Sequence, residues 1–213
     1  MSDSPYHHGR LRDALIDEAV RAVRHDGPSG LGIRSLARRI GVSHNAAYRH
    51  FADRDDLVAA VVDRMRADLM KSIRSRCDEV RADDPVLRAR RKLAETGRAY
   101  VEYAISEPGL FRLAFGEFAS AADPRSLEAD PLRLLGQVLD ELVEVGFLDP
   151  EARIDAELTC WSAVHGFSVL CIDGPLRHSS AAERSAALDR VLVAIDRSYG
   201  ATTGSPTSPA DIT

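Results

Sequence analysis

Long hydrophobic runs are missing from this chain of 213 residues, and no apolar stretch approaches the roughly 18 residues that a membrane span requires. The start, MSDSPYHHGRLRDAL, lacks the apolar core of a secretory signal, so a cytoplasmic protein with no membrane partner is expected. Cysteine is scarce. Cys77, Cys160 and Cys171 are odd in number and form no CxxC, which predicts reduced thiols rather than a disulfide framework. Cys160 and Cys171 fall on one helix face but about 16 Å apart, too far for one metal ion or one disulfide. His7-His8 has no thiol or carboxylate at ligand spacing. No metal and no cofactor are expected. GxSxG, P-loop and HExxH motifs are absent, and GPSGLG at 27–32 follows no strand, so catalysis is not expected. Alternating strand patterns and internal repeats are lacking as well. Lysine is nearly absent: 26 Arg stand against two Lys, a composition that points to a GC-rich bacterial genome.

What is present is an ordinary globular balance, 45% hydrophobic and 29% charged. The net charge of −5 hides an asymmetry. Residues 1–51 hold eight Arg against five Asp plus Glu, and five of the seven His, whereas the remaining 162 residues hold 20 basic and 28 acidic groups. A basic head on an acidic body suits a protein of which one end meets phosphate.

Helical periodicity runs through most of the chain. One pattern through Leu11, Leu15, Ala19, Ala22 and Val23 stops at Asp26-Gly27-Pro28. Short helices are predicted at 33–40 and 43–50, around Gly41. A long one runs from near Asp53 towards Cys77. Further patterns follow through Leu93 to Ile105, in LFRLAFGEF, over 132–145, from about Glu151 to Ile172, and over 181–199. The spacing therefore predicts an all-α fold of about nine helices. The tail, GATTGSPTSPADIT, is Gly/Ser/Thr/Pro-rich and expected to be unfolded.

The two short helices have the build of a helix-turn-helix. Gly41 supplies a residue tolerant of positive φ, Ala37 a small residue for close helix approach, and Ser43 an N-cap. Leu36, Ile40, Val42 and Ala47 form the expected inner face, with Phe51 locking the second helix down. His44 and Asn45 are then candidates for base edges, and Tyr48, Arg49 and His50 for flanking phosphates. Arg54, just beyond, is expected to reach the DNA backbone. Arg34 and Ala46 complete the candidate set.

The stretch LARRIGVSHNAAYRHFADRDDLVAAV resembles the DNA-binding domain of TetR-family transcriptional regulators. The positions that carry the resemblance are Leu36, Ala37, Gly41, Val42, Ser43, Tyr48, His50, Phe51, Arg54 and Leu57. Arg54 stands where Lys is more usual, and Asn45-Ala46-Ala47 departs from the common relatives. The resemblance implies a DNA-binding head at 8–54, with its recognition helix at about 43–50. It implies a helical effector-binding and dimerisation body at 55–200, and leaves a disordered tail at 201–213. It also implies a homodimer on a pseudo-palindromic double-stranded operator, most simply a repressor released by a small-molecule effector.

In the body, TCWSAVHGFSVLCIDG, residues 159–174, places Trp161, His165, Ser168 and Ile172 on one helical stripe and Cys160, Val164, Phe167 and Cys171 on another. The spacing W-x-x-x-H-G resembles a TetR subgroup. Two readings stay open here. Trp161 and His165 line an effector pocket with Tyr100, Tyr103, Phe111 and Phe115, or they are core residues. Gly166 in mid-helix is expected to mark close packing with a neighbouring helix.

Overall fold

A computed structural model describes residues 5–116 and 130–200. Among them there are nine α-helices and no strand: α1 (Pro5–Asp26), α2 (Ile33–Arg39), α3 (His44–Tyr48), α4 (Arg54–Glu79), α5 (Pro85–Ser106), α6 (Pro108–Phe115), α7 (Asp130–Glu144), α8 (Ala156–Ile172) and α9 (Ala181–Tyr199). The described residues up to Ala67, with those from Glu107 to Gly116, form one compact unit. Those from Asp68 to Ser106, with those from Asp130 on, form a second. The tail lies outside the described residues.

The first unit closes around α1. Leu15, Ala19 and Val23 recur on one side of α1 and are fully buried, together with Leu36, Ala37, Ala47, Phe51, Leu57 and Val61. Two devices tie α6 to the end of α1. Arg24 donates from Nε and Nη2 to the Glu107 carboxylate at 2.9 and 2.7 Å. Gly109 stands where a Cβ would fall 2.6 Å from the Val23 carbonyl oxygen, so only glycine allows this approach.

The second unit is organised by α5. Its Gly97 lets α8 and α9 close in, because a Cβ there would lie 2.7 Å from Leu192 and 3.2 Å from Val164. Ion pairs then fix the helices around it. Arg90 of α5 holds Asp196 of α9, Lys92 holds Glu141 of α7, and Arg98 reaches Asp189 of α9 at 2.8 Å. From the last turn of α4, Arg76 reaches both Glu95 and Glu102 of α5.

Periodicity placed the helices well, with one clear difference. The helix expected from Glu151 begins at Ala156 instead. Residues 150–155 form turns: Asp149 accepts the Glu151 N–H at 2.7 Å, and Asp155 takes a left-handed conformation (φ 58°). Side-chain capping by aspartate competes with the helix there. Gly166 also departs from expectation. It is exposed, and a Cβ added to it meets nothing within 4 Å, so no packing among the described residues accounts for it.

Candidate functional site

The first site is built by α2, a tight turn and α3. Gly41 has φ +74°, a conformation that costs a side chain steric strain, and it directs the chain so that Val42 N–H donates to the Ala37 carbonyl at 2.9 Å. Ser43 is the N-cap of α3: its Oγ accepts the Ala46 N–H at 3.2 Å. Ala47 and Phe51 are fully buried, and the Arg12 guanidinium lies 5.3 Å from the centre of the Phe51 ring. Ile40 and Val42, expected on the inner face, are only half-buried. This pinning leaves Ser43, His44, Asn45, Tyr48 and Arg49 exposed, with Ala46 and His50 half-buried. Tyr48 keeps 41% of its surface accessible, unusual for an aromatic side chain on a five-residue helix.

On α2, Arg34 is exposed, and so is Arg38 one turn later. Sequence reasoning missed Arg38, although the i, i+4 spacing from Arg34 was there to read. Arg39, by contrast, is committed to Asp26 at 2.9 Å and Glu18 at 3.7 Å. Arg54, a candidate for the DNA backbone, is engaged within the chain. Its Nε donates to the Leu31 carbonyl at 3.2 Å and its Nη2 to the Pro28 carbonyl at 3.1 Å. It therefore braces the start of α4 against the loop before α2. A second brace runs through three residues: Ala52 N–H donates to the Asp56 carboxylate, and Asp56 N–H donates to the Asp53 carboxylate.

The second unit holds another polar arrangement. Across α5 and α8, the Trp161 indole N–H donates to Tyr100 Oη at 3.2 Å, and that oxygen lies 2.9 Å from His165 Nδ1. The Trp161 and His165 rings are 5.4 Å apart and tilted by 56°. Tyr100 is buried, while Trp161 and His165 are half-buried. Burial alone pushes the Tyr100 hydroxyl well above its usual range and holds His165 below 6.5. Tyr103 sits about one turn along α5, half-buried. Phe111 and Phe115 lie on α6 in the first unit, with ring centres 5.0 Å apart and planes tilted by 50°.

Helix α8 thus has three faces. Cys160, Val164, Phe167, Ser168 and Cys171 are buried, Trp161 and His165 form the polar arrangement, and Leu158, Ser162, Gly166, Val169 and Leu170 are exposed. Ser168, placed with Trp161 by spacing, is instead fully interior and donates to the Val164 carbonyl at 2.8 Å. No group of metal ligands occurs among the described residues. No helix among them is long and apolar enough to cross a membrane.

A head with this geometry and an all-α body define a helix-turn-helix regulator. Residues 15–61 match the family model described as bacterial regulatory proteins, tetR family, and residues 93–195 match a tetracyclin repressor-like C-terminal domain. The chain belongs to the TetR family of transcriptional regulators, whose members bind DNA. It is 29% identical over 163 residues to an HTH-type transcriptional regulator of Mycobacterium tuberculosis, spanning 76% of this chain and 71% of that one. Among solved structures, a Rhodococcus sp. RHA1 protein of unknown function superposes with a TM-score of 0.73 at 29% identity, over 93% of this chain and all of that one. RolR, solved in complex with the ligand resorcinol, superposes with a TM-score of 0.64 at 16% identity, over 93% and 92% of the two chains, a likeness of fold.

Proposed function

We propose that the chain is a cytoplasmic repressor that reads a pseudo-palindromic operator as a homodimer and leaves it when a small molecule occupies the body. The observation that carries this reading is α3, where His44, Asn45, Tyr48 and Arg49 stand exposed on a helix pinned from beneath by Ala47. His44 and Asn45 present hydrogen-bonding groups for base edges in the major groove, and Asn suits adenine N6/N7. Tyr48, Arg49, Arg34 and Arg38 serve the flanking phosphates, with the free Ser43 hydroxyl proton and the half-buried His50 beside them. Arg54 acts differently from the expected phosphate contact: it positions α4 and, through it, the head at residues 8–54.

The homodimer is favoured by the exposed face of α8, where Leu158, Val169 and Leu170 surround a glycine with open space before it. A two-fold pair sets two α3 helices at half-sites one helical turn, or a multiple, apart. The Trp161–Tyr100–His165 arrangement is the best-formed candidate for an effector contact, and the small-molecule complex of the similarly folded RolR is in keeping with that. Effector release requires only that the ligand prefer the arrangement that mismatches the half-sites.

The test is fluorescence anisotropy of the protein on duplexes tiled across the DNA beside its own gene, over a salt series. Tight binding to one pseudo-palindrome, weakening linearly in log–log form with salt, is expected. Equal, weak binding to every duplex would contradict the reading and favour a general DNA-packaging protein.

A further inference from the structure

Ala47 is the buried residue of α3, and it fixes which side chains turn away from the protein. At about 100° per residue, His44 lies only about 60° round the helix from Ala47, and Ala46 and Tyr48 about 100° to either side. Asn45 lies about 160° round, nearly opposite the buried side. It is exposed, and its amide makes no hydrogen bond with another described residue. The Ser43 oxygen, two positions back, is already occupied as the N-cap acceptor. Asn45 therefore holds an acceptor oxygen and a donor amide, both uncommitted, at the outermost point of the helix.

A donor beside an acceptor matches one base edge in the major groove. Adenine shows N6–H next to N7, so both contacts form at once. Guanine shows two acceptors there, and the asparagine oxygen would face one of them with no proton between. Cytosine and thymine each offer a single polar group. Arginine is the side chain that most often reads guanine, yet α3, HNAAY, holds neither arginine nor lysine, and Arg49 comes only at its C-cap. Ala46, half-buried beside Asn45, adds a methyl group, which suits the methyl of thymine.

We propose that Asn45 and Ala46 commit each operator half-site to an adenine with a thymine in the adjoining pair, and that N6-methylation of this adenine excludes the protein. The proposal rests on α3 being the DNA-reading helix and adds the base that it reads. In a duplex one N6 proton pairs with thymine and the other faces the major groove. A methyl group in place of the second removes the donor that Asn45 Oδ1 needs and puts bulk in its way.

In the test, the full-length protein selects duplexes from a random-sequence pool, and the operator so obtained is rebuilt with modified bases. One adenine per half-site is expected at a fixed position, and 7-deazaadenine or N6-methyladenine there should weaken binding about ten-fold or more. Uracil in place of the adjoining thymine should weaken it about three-fold. Selection with Asn45→Ala is expected to lose the preference at that position alone, and with Asn45→Arg to move it to guanine, the thermal melt of each variant being retained. Any base other than adenine at the position that Asn45→Ala relaxes overturns the proposal while leaving a sequence-specific DNA reader. An unchanged selection by Asn45→Ala, or full binding to the N6-methylated operator, does the same. If the wild-type protein enriches no sequence, the proposal and the repressor reading fail together.

Discussion

Arg90 and Asp196 are locked in a two-point grip, Nε to Oδ1 at 2.9 Å and Nη2 to Oδ2 at 2.7 Å, with the aspartate side chain 4% exposed. The guanidinium also lies 4.8 Å from the centre of the Phe147 ring, so one arginine joins α5, α9 and the loop after α7. Removing one partner of a buried pair strands the other charge. Asp196→Ala is expected to cost about 3–5 kcal/mol in urea unfolding, whereas the double variant Arg90→Met with Asp196→Leu should lose far less. A small loss for the single variant would mean that water reaches Arg90.

Arg54 provides a sharper distinction. A side chain that braces backbone carbonyls affects stability and positioning, while one that neutralises a phosphate changes the salt dependence by about 0.9 in log–log slope. Arg54→Ala is expected to lower thermal stability by roughly 1–2 kcal/mol. It should weaken DNA binding for all sequences, with the salt slope unchanged. Arg49→Ala is expected to reduce the slope by about one and to leave stability alone.

Base reading has its own signature. His44→Ala and Asn45→Ala should each lower operator affinity by about 1–3 kcal/mol while binding to unrelated duplexes stays constant. Binding measured on a set of single-base operator variants locates the position each side chain reads. Equal losses on all duplexes would reassign both residues to the phosphates.

Acid should act through His165. Burial lowers its folded value below 6.5, so the unfolded chain binds the proton first as pH falls. Stability contributed by the neutral ring is therefore complete above about pH 6.5 and declines as pH drops towards the lowered folded value. The wild-type melting temperature should fall more than that of His165→Gln between roughly pH 7 and pH 5. Trp161 emission should be quenched over the same window, since its ring lies 5.4 Å from the imidazole.

The homodimer is testable without DNA. Leu158, 59% exposed on α8, and Leu170 lie on its outer face. The double variant Leu158→Glu with Leu170→Glu should sediment as a monomer and lose operator binding, with its helical content retained. A variant that stays dimeric would put the interface elsewhere.

Much of this architecture is legible in the sequence because its determinants are local. Gly41 needs positive φ, Ser43 caps α3, and apolar residues recur at helical spacing in the long helices; each can be read within a few residues. What escaped was set at a distance. Spacing gave no hint that Arg54 faces the carbonyls of Pro28 and Leu31, more than twenty positions back. Helical spacing also groups residues that share a face without naming the helix that receives it. Phe111 and Phe115, on α6, and Tyr100, on α5, are candidates of this kind. The late start of α8 is a local miss, where the turn chemistry of Asp149 and Asp155 outweighed the apolar pattern.

Helix α4 runs through 26 residues without a glycine or proline, and the chain passes from one unit to the other in its middle, between Ala67 and Asp68. At 1.5 Å per residue its 26 residues amount to about 39 Å of helix. Two adjacent glycines at its midpoint would cost about 2 kcal/mol of helix stability, and under the proposed effector release they are expected to leave operator binding in place while the response to effector is lost.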